Sequence, residues 1–114
     1  MRKFLLLAGL IAAVAIPAAA IAGDFNPNQV GEGCTPGHVG TYHFVLNKHT
    51  GTTAETLTVD FSISGTKTAT PYMIVANGKV QHFSISGAGT VSSASTTGDG
   101  WLVISDFSCK KKHS

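Results

Sequence analysis

Residues 56–64 read Thr-Leu-Thr-Val-Asp-Phe-Ser-Ile-Ser, and the fold class turns on their spacing. Leu57, Val59, Phe61 and Ile63 alternate strictly with polar residues. An amphipathic helix repeats its apolar positions every three or four residues, whereas a strand turns successive side chains to opposite faces. The stretch therefore predicts a strand with one face in a core and the other in water.

The segments on either side carry the same period. Tyr42, Phe44 and Leu46 alternate with Thr41, His43, Val45 and Asn47. Farther on, Tyr72 to Ala76 and Lys79 to Ile85 flank Asn77-Gly78. Asn-Gly between apolar runs signals a hairpin, because both central residues of a type I′ turn need positive φ. That turn would pair Val75 with Val80 and Met73 with His82. One hairpin face is then Met73, Val75, Val80 and His82, and the other is Tyr72, Ile74, Phe83 and Ile85, which we expect to be the core face. Val91 to Thr96 is a Ser-rich strand, and Trp101 to Phe107 is a near-continuous apolar run suited to a central strand. The expected fold is all-β: an antiparallel β-sandwich of six to seven strands, immunoglobulin-like in the first instance and a small barrel in the second.

The ends of the chain differ in composition. Arg2 and Lys3 precede an apolar stretch, and Ala20-Ile21-Ala22 has the small-x-small pattern of a signal peptidase site. Residues 1–22 are read as a cleaved signal peptide, because the uninterrupted apolar run of about 13 residues is short of the roughly 20 that a membrane-spanning helix needs. Residues 23–33 are rich in turn formers and are read as a flexible arm, 34–109 as the β-sandwich domain, and 110–114 as a basic tail. The expected location is outside the cytoplasm, extracellular or periplasmic, in a bacterial host, with no stable membrane insertion.

Without Arg2 and Lys3, six lysines balance six acidic residues, and three of the lysines lie at 110–112. A near-neutral domain lacks the basic stripe that nucleic-acid binding demands. Cys34 and Cys109 are the only cysteines. In an oxidising compartment an even count points to a disulfide, with a metal-bound or intermolecular pair as the alternatives. Closing a loop of this length contributes about 4 kcal/mol in the chain-entropy model.

Three stretches, Tyr42-His43-Phe44-Val45-Leu46-Asn47, Val80-Gln81-His82-Phe83 and Ile104-Ser105-Asp106-Phe107-Ser108-Cys109, resemble a recurring module. It is a small, disulfide-closed, immunoglobulin-like β-sandwich of secreted bacterial proteins, often appended to larger surface proteins. The resemblance spans most of residues 34–109 and implies fold and compartment. The module has no assigned activity, so it implies no mechanism.

Chemistry-bearing residues recur in pairs: His43-Phe44, Asp60-Phe61, His82-Phe83 and Asp106-Phe107, with Phe-Ser-Ile-Ser-Gly at both 61–65 and 83–87. Large apolar residues facing in and soluble ones facing out account for such pairs. If neighbouring strands bring the outer members together, however, His43 and His82 are the candidate metal ligands. Cys34, His38, His43 and His49 do not form a local site, since His38 and His43 point to opposite faces of one strand and His43 and His49 lie about 20 Å apart when extended. Asp106 is ambiguous, because Leu102 and Ile104 share its parity and would draw it inward.

Signatures of catalysis are missing. Ser64-Gly65-Thr66-Lys67 spells a nucleophile motif that needs a helix start, and no nucleophile elbow marks a serine. The chain is read as a non-catalytic, cofactor-free monomer acting by surface contact with a cell-wall component, a polysaccharide or a protein. Trp101 and Tyr72 are the candidate sugar-stacking aromatics, although Trp101 lies on an apolar strand that favours the core. Met73, Val75 and Val80 form a candidate apolar contact strip. The alternatives are an enzyme inhibitor presenting loop 35–40 or 49–53, and a metal-binding protein using His43 and His82.

Overall fold

The computed structural model describes residues 23–112. Eight strands follow one another: β1 (Asp24–Phe25), β2 (His38–Asn47), β3 (Leu57–Phe61), β4 (Gly65–Ala69), β5 (Met73–Val75), β6 (Val80–Ala88), β7 (Val91–Thr96) and β8 (Trp101–Lys111). They form a five-stranded sheet, order β1-β8-β2-β6-β5, and a three-stranded sheet, order β4-β3-β7. All neighbours run antiparallel except β1 and β8. Among the described residues there is no α-helix, and no helix is long and apolar enough to cross a membrane.

The alternating residues make the core. Tyr42, Phe44, Leu46, Phe83, Ile85, Leu102 and Ile104 from the larger sheet meet Leu57, Val59, Phe61 and Val91 from the smaller one. Burying Val, Leu, Ile or Phe side chains in this way contributes roughly 1.5–3 kcal/mol each. Cys34 and Cys109 are bonded, closing the chain across a separation of 75 residues.

The hairpin has the expected register, with Met73 opposite His82 and Val75 opposite Val80. Asn77 and Gly78 have φ of 57° and 94°, and the Lys79 N–H donates to Ala76 O, as in a type I′ turn. Its core assignment holds for β6 and fails for β5. Phe83 and Ile85 are buried, but Tyr72 and Ile74 are exposed along with Met73 and Val75. The reason is width. Five strands face three, so the edge strand β5 lies beyond the smaller sheet. Opposite Ile74 stands Gln81, fully buried, and its amide is bonded to Glu55 N, Thr53 O and Gly78 O.

Three other expectations change. Ile63 is 60% exposed, because β3 ends at Phe61 and the chain turns through Ser62-Ile63-Ser64. The Ser62 and Ser64 hydroxyls accept from Thr90 N and Ala88 N, which holds that turn against β6. Residues 23–33 are not a free arm: β1 pairs with Trp101-Leu102, Gln29 bonds both backbone groups of Ile104, and Gly31 and Glu32 bond Val91. The basic tail begins later than its charge suggests, since Lys110 and Lys111 continue β8 opposite Val39 and His38.

The repeated pentapeptide thus adopts two shapes, a strand at 83–87 and a strand end plus turn at 61–65. The copies also touch. A Cβ on Gly87 would collide with the Phe61 ring, so the second copy's glycine is the seat of the first copy's phenylalanine. Gly87→Ala is expected to lower the unfolding free energy by about 1–3 kcal/mol, the usual penalty of overpacking. Urea titration measures it, and a loss below 0.5 kcal/mol, roughly the scatter of surface substitutions, would show that the sheets part freely at this point.

Candidate functional site: the outer face of the five-stranded sheet

Cross-strand register sets three rows of side chains on the outer face. Ser84, His43 and Asp106 are direct partners across β6, β2 and β8, and Ser86, Thr41 and Ser108 form the next row. On the other side, His82, Val45 and Val103 are aligned. Partners on adjacent strands are about 5 Å apart and diagonal ones remain in reach of long side chains, so His82 lies within reach of His43.

Asp106 reaches this face through a β-bulge. His43 pairs with Asp106, but Phe44 pairs with Ile104, leaving Ser105 as an extra residue on β8. An extra residue reverses the alternation beyond it. Leu102 and Ile104 therefore face the core while Asp106 faces out, which resolves the ambiguity of its parity.

His43 Nε2 and His82 Nδ1 are 2.9 Å apart, a hydrogen bond in which one ring donates and the other accepts. His43 Nδ1 lies 3.5 Å from the Asp106 carboxylate. The ring centroids are 5.1 Å apart with planes inclined by 23°. For so short an N···N distance that separation is nearly as long as it can be, so the rings meet edge to edge and do not stack face to face. Tyr72 stands over both imidazoles, at 5.9 Å from His43 and 6.2 Å from His82. Its N–H donates to His82 O, which fixes it at the head of β5.

His43, Asp106 and Tyr72 border a cleft of about 500 Å³, lined also by Thr41, Tyr42, Ser84, Phe107 and Ser108, with His82 beside it. The volume lies within the range of small-ligand sites. Tyr72 is 58% exposed, so its ring is free to meet a ligand. Trp101 also projects outward: it pairs with Asn47, in phase with Val45 and His43 along β2, and it is exposed. The core expectation for Trp101 fails because Leu102 takes the inward position. Met73 and Val75 are exposed beside the cleft and Val80 is half-buried.

The remaining histidines among the described residues lie elsewhere. His38 Nδ1 is paired with the Thr35 hydroxyl. His49 is buried at the opposite end of β2, with Nε2 2.7 Å from Glu55 and Nδ1 3.1 Å from both Gly51 O and Gly78 O. Sequence spacing did not reveal this cluster, whose partners come from the 48–56 loop and from the turn at 76–78. Nearby, Thr50 donates its N–H and its hydroxyl to Asp99, which holds that carboxyl below its ordinary range. Among the described residues no group of three or more His, Cys, Asp or Glu side chains is placed to hold a metal ion. No protein-family model, curated protein or solved structure matches the chain.

Proposed function

We propose that the protein is an exported, non-catalytic glycan-binding domain whose ligand lies along the outer face of the five-stranded sheet. The cleft under Tyr72 carries this reading. A sugar ring has an apolar C–H face and a rim of hydroxyls. The exposed phenol ring offers a flat apolar partner for the face, and Thr41, Ser84, Ser108, His43 and Asp106 offer donors and acceptors for the rim. Trp101, four positions along β2 from the His43 row, lies about 13 Å away at 3.3 Å per residue, so a chain of several sugars would meet both aromatics. Export is supported by the leader-like pattern of residues 1–22 and by the disulfide. Two facing sheets around one core support an immunoglobulin-like sandwich and the resemblance to the secreted bacterial modules.

Retention on insoluble polysaccharides (chitin, cellulose and peptidoglycan) tests the function. Wild-type protein is expected to bind at least one of them, and Tyr72→Ala to weaken that binding by roughly tenfold, about 1.4 kcal/mol. Lys67→Ala, on the other sheet, should leave it unchanged. Equal retention of the Tyr72 and Lys67 variants, or none by the wild type, would reject the reading.

A further inference from the structure

We propose that His43 and His82 form a two-nitrogen site for a transition-metal ion, copper(II) before the others, with Asp106 positioning His43. The site shares the cleft but does not depend on glycan binding.

The argument begins with the distance. Metal–imidazole bonds are about 2.0–2.1 Å, so two nitrogens at right angles on one ion stand about 2.9 Å apart, and two at the tetrahedral angle about 3.3 Å. His43 Nε2 and His82 Nδ1 are at 2.9 Å. That separation is set by their hydrogen bond, and it leaves the two nitrogens near enough for one ion to bridge them once the rings have turned. Copper(II) heads the affinity order for divalent ions on nitrogen ligands.

The hydrogen bond must give way to the ion. In the structure the two nitrogens point at each other and share one proton. Ligation turns both rings about their Cβ–Cγ bonds, so that the two lone pairs meet at one point above the cleft. The proton on His82 Nδ1 passes to Nε2 of the same ring, the imidazole stays neutral, and no net proton is released from a neutral pair. Water fills the remaining corners, since the cleft is open and two protein ligands do not complete the shell.

Asp106 supplies the second observation. Histidine ligands usually donate their far N–H to a carboxylate or carbonyl, which fixes the tautomer and the ring angle. Asp106 stands at that far nitrogen, 3.5 Å from His43 Nδ1. It reaches there only because Ser105 reverses the alternation of β8. As a surface ion pair the contact contributes little stability, so stability alone does not explain the arrangement.

Titration of the full-length protein with copper(II) sulfate, followed by calorimetry and electron paramagnetic resonance without any glycan, tests the site. One ion per chain with two equatorial nitrogens is the expected result, with tighter binding of copper than of zinc. His43→Ala and His82→Ala should each lower affinity at least tenfold, while His38→Ala leaves it unchanged. Asp106→Asn should weaken binding by about 10-fold while the spectrum keeps two nitrogens, which marks positioning and not ligation. Should an alanine variant unfold, His82→Gln decides, because it keeps a hydrogen-bonding group and loses the ligand. Unchanged copper binding in the His43→Ala/His82→Ala double variant or in His82→Gln, or zinc bound as tightly as copper, would overturn the site and leave the glycan reading standing.

Discussion

Opening the Cys34–Cys109 bridge is expected to lower the unfolding free energy by about 4 kcal/mol. The closed loop spans 75 positions of the sequence, and the chain-entropy model gives about that figure for a loop of this size. A domain of this length has a net stability of only roughly 5–15 kcal/mol, so the bridge is a large fraction of the whole. Its packing adds to the effect. Cys34 is buried, the Tyr42 hydroxyl donates toward its sulfur at 3.8 Å and to Gly89 O at 3.3 Å, and a side chain on Gly40 would press into both the sulfur and the Tyr42 ring. Burial here also pushes the Tyr42 phenol above its ordinary pKa. Urea unfolding of wild-type and Cys34→Ser/Cys109→Ser protein, followed by Trp101 fluorescence, measures the difference. A loss under about 1 kcal/mol would mean that the unfolded chain is already compact enough to hide the effect of closure.

His49→Ala is the second large effect, an expected loss of about 3 kcal/mol. The imidazole is 2% exposed, and only acceptors face it: Glu55 at Nε2, Gly51 O and Gly78 O at Nδ1. The two ring nitrogens lie within hydrogen-bond reach of all three. Removing the ring takes from Glu55 Oε2 its closest partner and from Gly51 O its ring partner, and truncating one partner of a buried pair costs about 3–5 kcal/mol. Glu55 retains some solvent access, which places the value at the lower end. Neighbouring bonds would loosen too, because Glu55 also accepts from Thr97 and its N–H donates to Gln81. The substitution should leave copper binding unaltered, since His49 lies beyond the end of β2, six residues along the chain from His43, and bonds to other groups. Equilibrium unfolding reads the change, and a variant as stable as wild type would show that water replaces the ring.

Alternation at 41–47, 57–61 and 83–85 announced the strands, their inward faces and the hairpin register, because a half-buried strand must write its two faces into a period of two. Ile63, Tyr72 and Ile74 show the limit of that signal. Each has the right parity for the core, yet each lies where a turn begins or where the second sheet no longer reaches. Parity says which way a side chain points and nothing about what stands opposite. The docking of residues 23–33 was hidden for a similar reason: it rests on side chains such as Gln29 finding backbone groups 75 residues away. His43 and His82 were legible as outward residues. Their meeting depended on strand order, which no local pattern encodes. Asp106 depended on a bulge that its apolar neighbours concealed.

That bulge has a further consequence. Ser105 acts as a frame shift within β8, separating a segment read in one phase from a segment read in the other. Downstream of it, Cys109 lies opposite Gly40 on the side that meets Cys34, and Asp106 lies on the side that meets His43. Flattening the bulge, so that Ser105 took a paired place in the ladder, would turn the cysteine outward and the carboxylate inward in a single step. Covalent closure and the acidic corner of the cleft therefore rest on the same bulge, and neither can be kept if Ser105 is paired while the other is lost.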